Sequence, residues 1–407
     1  MSDDGSFDTF TETTSTGWLS RLGQSLIGVL IGFVGILVAI AALYWNEGRA
    51  VDAASALSEG AGMVISAPAA PIEPSRDGKL VHVMGMAVAL APARDPVLGV
   101  TAPNLLRLRR VVEMYQWKEY QQTETNTELG GSETKRTTYD YRRIWTERPI
   151  ASSSFRVPAG HGNPPMSMQS TTVAAPGGKL GDFRIAPPLL EKLDEFQPLV
   201  PEDTSALTAR GYLPVDTGFY RGNDPATPRV GDIRLHFEAV SGQPITIVSG
   251  QFNNTLTPFN TSNGYEIALI SPGSKPAAAM FKEAHDEEAL LTWILRAVGF
   301  VGMLISLLLL FQPLSVLVSV LPFLETLVGA GAFLVAFVLA IPLTAITIAV
   351  AWFAHRPLLA GGLIIAGIAL SYGASRLFPG RKAEGARPGR RTTGTRRGAA
   401  RGNPTPD

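Results

Sequence analysis

Apolar residues in this chain gather into blocks too long for the core of a soluble domain. Ser25 to Trp45 is a run of 21 residues without a charge, and from Ala289 to Ser375 the only charges are Arg296, Glu325 and Arg356. A helix needs about 20 consecutive apolar residues to cross a bilayer. The pattern therefore predicts four spans, at 25–45, 290–311, 326–354 and 357–375. The third is about 43 Å long at about 1.5 Å per residue, against about 30 Å of hydrocarbon, so it is expected to be one span, tilted and kinked at Pro342. Pro313 and Pro322 interrupt 312–325, a segment predicted to be an interfacial or re-entrant connection, and His355-Arg356-Pro357 is predicted to be a tight polar turn.

Between the first and second spans the pattern changes. Leu80–Ala89, Leu105–Thr123, Thr137–Thr146, Gly231–Val240, Pro244–Phe252 and Tyr265–Ile270 are rich in β-branched and aromatic residues and are bounded by Gly, Pro and Asn, which predicts strands. Helical spacing is confined to Leu189–Phe196 and to Pro276–Glu288, the latter expected to run straight into the second span. Arg109–Gln122 and Thr137–Trp145 read as a long hairpin, with Glu124–Lys135 as a loop too polar to be buried. The predicted fold class is an α+β membrane protein: four transmembrane helices, one N-terminal and three C-terminal, with a large inserted β-rich exoplasmic domain at 46–289.

Charge orients this arrangement. The chain of 407 residues has a net charge of zero, yet residues 376–407 carry nine Lys and Arg against two acids. Positive flanks stay cytoplasmic, and four spans return the N-terminus to the same side. Residues 1–24, acidic and rich in Ser and Thr, are expected to be a disordered cytoplasmic tail. Residues 376–407 are expected to be a basic disordered tail drawn to anionic lipid. A cleaved signal peptide is the competing reading of the first block, against which stand the acidic leader and the length of the apolar run. The absence of cysteine excludes disulfides, thiol nucleophiles and Cys-based metal sites. With no aromatic residue among the tail's basic residues, nucleic acid is not an expected partner.

Candidate chemistry is sparse. There is no HxxxH, GxSxG or Walker motif, and no cofactor is implied. Glu113, Glu119, His161 and Asp232 are the polar groups best suited to acid–base work. The plainer reading pairs Glu113 and Asp232 with Arg110, Arg234 or Arg49. Trp45, Asn46, Glu47 and Arg49 fall at the outer membrane surface, where they can hold lipid headgroups or dock the domain. Arg296 lies inside a span, and a charge there is costly enough to be a functional candidate or to require a partner such as Glu47 or the Asp286–Glu288 cluster.

Several of these residues recur as a set. Trp45-Asn46-Glu47-Gly48-Arg49-Ala50 after the first span, Arg110 to Trp117 (RVVEMYQW, with Glu113, Tyr115, Gln116 and Trp117) followed by Glu119, Asn163-Pro164, Gly231-Asp232-Ile233-Arg234, and Trp293 with Arg296 resemble the transmembrane protein 43 (LUMA) family. The resemblance runs from about Ser25 to Ser375. It implies four spans, a large lumenal or exoplasmic domain, and a role in organising membrane proteins and lipids, in animals at the endoplasmic reticulum and inner nuclear membrane. The Arg-rich extension and the Ala/Gly/Arg-heavy composition look bacterial, which shifts the expected location to a bacterial inner membrane with a periplasmic domain. The expected function is a multi-pass scaffold whose partners are membrane lipids, other membrane proteins or further copies of itself. A channel or transporter and a lipid-modifying enzyme are the alternatives.

Overall fold

A computed structural model describes residues 8–216, 218–356 and 365. In chain order its elements are β1 (Asp8–Thr16), α1 (Trp18–Met63), β2 (Ile65–Ala67), β3 (Leu80–Ala89), β4 (Leu105–Thr127), β5 (Glu133–Thr146), β6 (Thr171–Ala174), β7 (Gly178–Leu180), β8 (Phe183–Ile185), α2 (Pro187–Leu190), β9 (Gln197–Leu199), α3 (Ser205–Thr208), β10 (Leu213–Val215), β11 (Gly218–Arg221), β12 (Ile233–Ser241), β13 (Pro244–Phe252), β14 (Thr255–Thr257), β15 (Phe259–Asn260), β16 (Glu266–Ile267), β17 (Leu269–Pro272), α4 (Ala277–Val318) and α5 (Pro322–His355).

Among the described residues, α1, α4 and α5 are long and apolar enough to cross a membrane. They pack on one another through Ala39, Met303, Leu307, Ala336 and Ala340. The expected fourth span at 357–375 and the basic tail at 376–407 fall outside the described residues. The connection expected at 312–325 is largely helical rather than a separate segment. α4 continues through Pro313 to Val318, a turn over Ser319–Leu321 follows, and Pro322 opens α5. Proline suits the first helical position, where its missing N–H has no partner to lose. α5 passes Pro342 as one helix, so the third apolar block is one continuous membrane-length helix.

α1 runs 18 residues past Trp45, the expected end of the span. Ala53, Ala56, Leu57 and Gly60 follow the i, i+3, i+4, i+7 spacing of one helix face, and all are buried. Leu57 packs with Leu80, Val248, Ile267, Met280 and Phe281, joining both long helices to the β domain. Gly60 allows the approach, because a Cβ there would lie 2.3 Å from Cδ1 of Ile267. Leu57→Ala is expected to destabilise by about 2–5 kcal/mol through the cavity it leaves, read as a lower unfolding midpoint in detergent.

The β domain consists of two main sheets and a two-strand pair, β15–β16. One sheet runs β1-β5-β4-β12-β11-β10, with β6 added on β4 and β9 on β12. The other runs β17-β13-β14-β8-β7-β3-β2 and returns on itself through β13–β3, so that β13, β14, β8, β7 and β3 form a closed circuit. Val81, Val83, Leu180, Phe183, Ile245 and Ile247 fill this circuit, while Val112, Met114, Tyr212, Phe219, Leu235 and Phe237 make the core under the first sheet. The expected helix at Leu189–Phe196 reduces to α2, whose chain turns at Glu191–Leu193 toward β9.

The hairpin is far longer than its apolar pattern indicates. β4 and β5 pair without a break from Met114↔Thr146 to Thr127↔Glu133, leaving only 128–132 as the turn. β1 adds a third strand, from Asp8↔Tyr141 to Thr16↔Glu133. The expected disordered tail at 1–24 is thus ordered from Asp8, and the expected loop at 124–135 is mostly strand. Both lie in polar sequence that shows no apolar alternation, and backbone pairing with a neighbour holds them instead.

The turn is exposed at Glu128, Leu129 and Gly130, as expected, and only Gly131 within it is buried. Gly131 adopts φ +81°, and a Cβ on it would lie 2.5 Å from Cδ1 of Trp18. The Gly130 N–H donates to Val320 O, Arg21 donates to Gly131 O, and Arg21 also pairs with Glu133 and Glu325. The hairpin tip therefore meets the ends of α1 and α4 opposite to those joined at Leu57, together with the start of α5. Residues 46–289 are not confined to one end of the helices.

Candidate functional site

Two clusters gather the residues singled out by sequence. The first is a collar where α1 and α4 leave their apolar segments. Glu47 on α1 is 1 % exposed and binds Arg296 of α4 in a fork, Nε to Oε1 and Nη2 to Oε2, both at 2.7 Å. Paired forks of this kind are strong and geometrically specific. The Arg296 guanidinium also lies 4.8 Å from the ring of Trp293. One turn on, Arg49 pairs with Glu288 and donates to Oγ1 of Thr292 at 3.1 Å. Asn46 donates to Thr292 O at 3.3 Å. Trp45 points outward, 62 % exposed, as an interface anchor should.

Beside this collar lies an open cavity of ≈ 470 Å³, lined by Tyr44, Arg49, Asp52, Asn263, Tyr265 and His355. His355, at the end of α5, lies with its ring tilted 4.9 Å from that of Tyr44 and reaches Gly48, where a Cβ would meet Nε2 at 2.6 Å. The Tyr265 hydroxyl donates to Glu288 at 3.2 Å, and burial together with that carboxylate pushes its pKa up. Thr292, Tyr265 and His355 were not legible in sequence as site residues, because each is ordinary in its own segment and is brought here only by the packing of α4, α5 and the β15–β16 turn onto α1.

The second cluster lies where β4 leaves the sheet and becomes a free-standing hairpin. Glu113 accepts from Nε of Arg234 on the neighbouring β12 at 2.7 Å, and Arg234 stacks on Trp145, which also meets Tyr115. Gln116 is fully buried and bridges to the chain at 146–150, donating to Thr146 O and Arg148 O and accepting from the Ile150 N–H. Trp117 is pinned at both backbone atoms by the side chain of Asn163. Glu119 accepts from the Tyr141 hydroxyl at 2.7 Å and from the Arg156 N–H at 2.6 Å. Asp232 accepts from the Tyr220 hydroxyl and from the Arg229 N–H, not from an arginine side chain. Arg110 pairs with buried Asp95 instead. His161 stacks on Tyr141 at 3.9 Å and faces Asp8 of β1 at 3.1 Å.

Burial, and then the Glu119 carboxylate, push the Tyr141 hydroxyl up to about 12. The folded state holds this proton where the unfolded chain, at its ordinary value near 10, has already lost it. Its stabilisation is complete below pH 10 and falls away as the pH rises through about 12. In a spectroscopic titration of tyrosinate absorbance, Tyr141→Phe is expected to remove a component with a midpoint near 12.

The two clusters bear the residues on which the family resemblance rested, and the comparisons decide it. The family model for transmembrane protein 43 matches residues 114–357. The chain belongs to that family. It is 33 % identical over 374 residues to transmembrane protein 43 of Homo sapiens, covering 88 % of this chain and 91 % of the human one. The Rattus norvegicus protein is 32 % identical over 364 residues, 86 % of this chain and 89 % of its own. The Drosophila melanogaster homolog is 31 % identical over 358 residues, 83 % and 92 %. These relatives are animal proteins and give the expected bacterial origin no support. No solved structure matches the chain. As a transmembrane protein 43 family member with three described membrane-length helices, the protein is an integral membrane protein.

Proposed function

We propose that this transmembrane protein 43 family member is a multi-pass membrane scaffold, gathering lipids or other membrane proteins where its β domain meets the bilayer. The observation that carries the reading is the collar. A built and charged ring of Glu47, Arg296, Arg49 and Glu288 fixes the domain against the spans, and the open cavity beside it is rimmed by Tyr44, Trp45 and His355 at headgroup height. The exoplasmic side holds the body of the domain, since nine basic residues in 376–407 hold the tail in the cytoplasm.

The acids suited to catalysis serve structure instead. Glu113 and Glu119 each hold a named partner across strands, so the lipid-modifying alternative lacks a free general base among them. Cross-linking in native membranes, followed by identification of neighbours and co-purified lipids, is expected to return stable membrane-protein neighbours and unmodified lipid. A chemically altered lipid that disappears in Glu113→Gln/Glu119→Gln would replace this reading with an enzyme. The double variant is otherwise expected to keep its neighbours and lose only stability, by about 1–3 kcal/mol for each charged hydrogen bond weakened.

A further inference from the structure

The three-strand ribbon of β1, β5 and the outer half of β4 passes alongside the apolar segments. Its base is held in the β domain at Trp117 by Asn163. Its tip, at Gly130 and Gly131, touches Val320, Trp18 and Arg21 at the opposite ends of the spans. From Arg21 to Glu47 the helix rises about 39 Å at about 1.5 Å per residue, and from Trp117 to Gly130 the strand covers about 43 Å at about 3.3 Å per residue. The ribbon thus occupies every level of the layer that α1 and α4 cross.

Its composition cannot face acyl chains. One face of β4 carries Glu119, Gln121, Thr123 and Thr125, the other Lys118, Tyr120, Gln122 and Glu124, and residues 120–126 are exposed. β1 is polar apart from Phe10, and all of it but Glu12 and Thr16 is exposed. Both long edges are open as well: among the described residues no strand pairs with the side of β1 away from β5 or, beyond Trp117, with the side of β4 away from β5. Unpaired backbone and charged side chains are excluded from hydrocarbon unless they are buried in protein or line a water-filled cavity. Among the described residues, a single copy supplies neither.

We propose that copies of this chain stand side by side in the membrane, ribbon inward and apolar helices outward, so that the ribbons enclose a water-filled lumen. The outer edge of β1 in one copy meets the outer edge of β4 in the next. This contact joins two different edges, so it repeats from copy to copy and closes into a ring. The apolar surfaces of α1, α4 and α5, with Leu30, Val298 and Leu334 each about two-thirds exposed, face lipid. The proposal goes beyond the scaffold reading and stands without it.

The absence of native cysteine makes the test clean. Register places Thr13, Arg136 and Glu124 at one level. Full-length Thr13→Cys and Glu124→Cys chains, differently tagged and co-expressed, are cross-linked with a short bis-maleimide in membranes. A dimer carrying both tags is expected, absent when either cysteine is omitted. In parallel, Gln122→Cys is exposed to a membrane-impermeant thiol reagent in sealed vesicles, and labelling is expected. A labelled thiol without the mixed dimer would overturn the assembly. An unlabelled thiol would overturn the lumen even if copies associate. Loss of lipid or protein neighbours with the mixed dimer intact would count against the scaffold reading alone.

Discussion

Glu47→Ala is expected to cost the folded state about 3–5 kcal/mol, the usual penalty for removing one partner of a buried ion pair. The carboxylate is 1 % exposed, and both its oxygens are engaged by Arg296 at 2.7 Å. Without it the guanidinium keeps only the face of Trp293, at a level where water is scarce and an unpaired charge is expensive. The loss should therefore exceed that of any surface pair on the molecule, such as Lys282–Asp286, whose two side chains are mostly in solvent. Glu47→Leu combined with Arg296→Leu is expected to recover most of the loss, because the penalty lies in the stranded charge more than in the missing attraction. Thermal unfolding in lipid nanodiscs reads both. If Glu47→Ala melts with the wild type, Arg296 reaches water unaided and the collar is not a structural lock.

The parts of this architecture that bury apolar surface were readable from the chain, and the reason is periodicity. β3 and β13 begin and end where the alternation of β-branched residues does. Three of the four apolar blocks became α1, α4 and α5, the fourth lying outside the described residues, and of the two partners expected for the intramembrane charge of Arg296 the structure pairs it with Glu47. What sequence reasoning missed carries no apolar signal. β1 is nine residues of Asp, Thr, Phe, Glu and Ser with only Phe10 to bury, and the outer half of β4 is Glu, Tyr, Gln, Thr and Asn. Such segments order only because a partner strand satisfies their backbone, and that partner is more than 100 residues away for β1. The extension of α1 to Met63 was hidden for a different reason. Its buried stripe is Ala53, Ala56, Leu57 and Gly60, in which Leu57 alone registers as strongly apolar and the other three are small residues that pack closely.

Arg21 decides whether the ribbon stays against the spans, and Arg21→Ala is expected to cost about 3 kcal/mol. The guanidinium is 8 % exposed and serves three partners on three segments: Glu133 at the start of β5, Glu325 in the first turn of α5, and the carbonyl of Gly131 in the turn between strands. Alanine leaves two carboxylates facing each other across a site from which their shared cation has gone, and Glu325 already has one oxygen without a hydrogen-bond partner. Repulsion then adds to the lost bonds. Among the described residues the tip would then be held by the Gly130 N–H to Val320 O bond and by the approach of Gly131 to Trp18 and Ser319. Hydrogen exchange should report the release locally, with faster exchange of amides in 119–127 and 133–140 and little change in β3 or β13, whose circuit is closed on itself. Arg21→Lys keeps the charge but not the three separately directed N–H donors, and is expected to fall between the two. Unchanged protection in Arg21→Ala would mean that backbone pairing alone holds the ribbon in place.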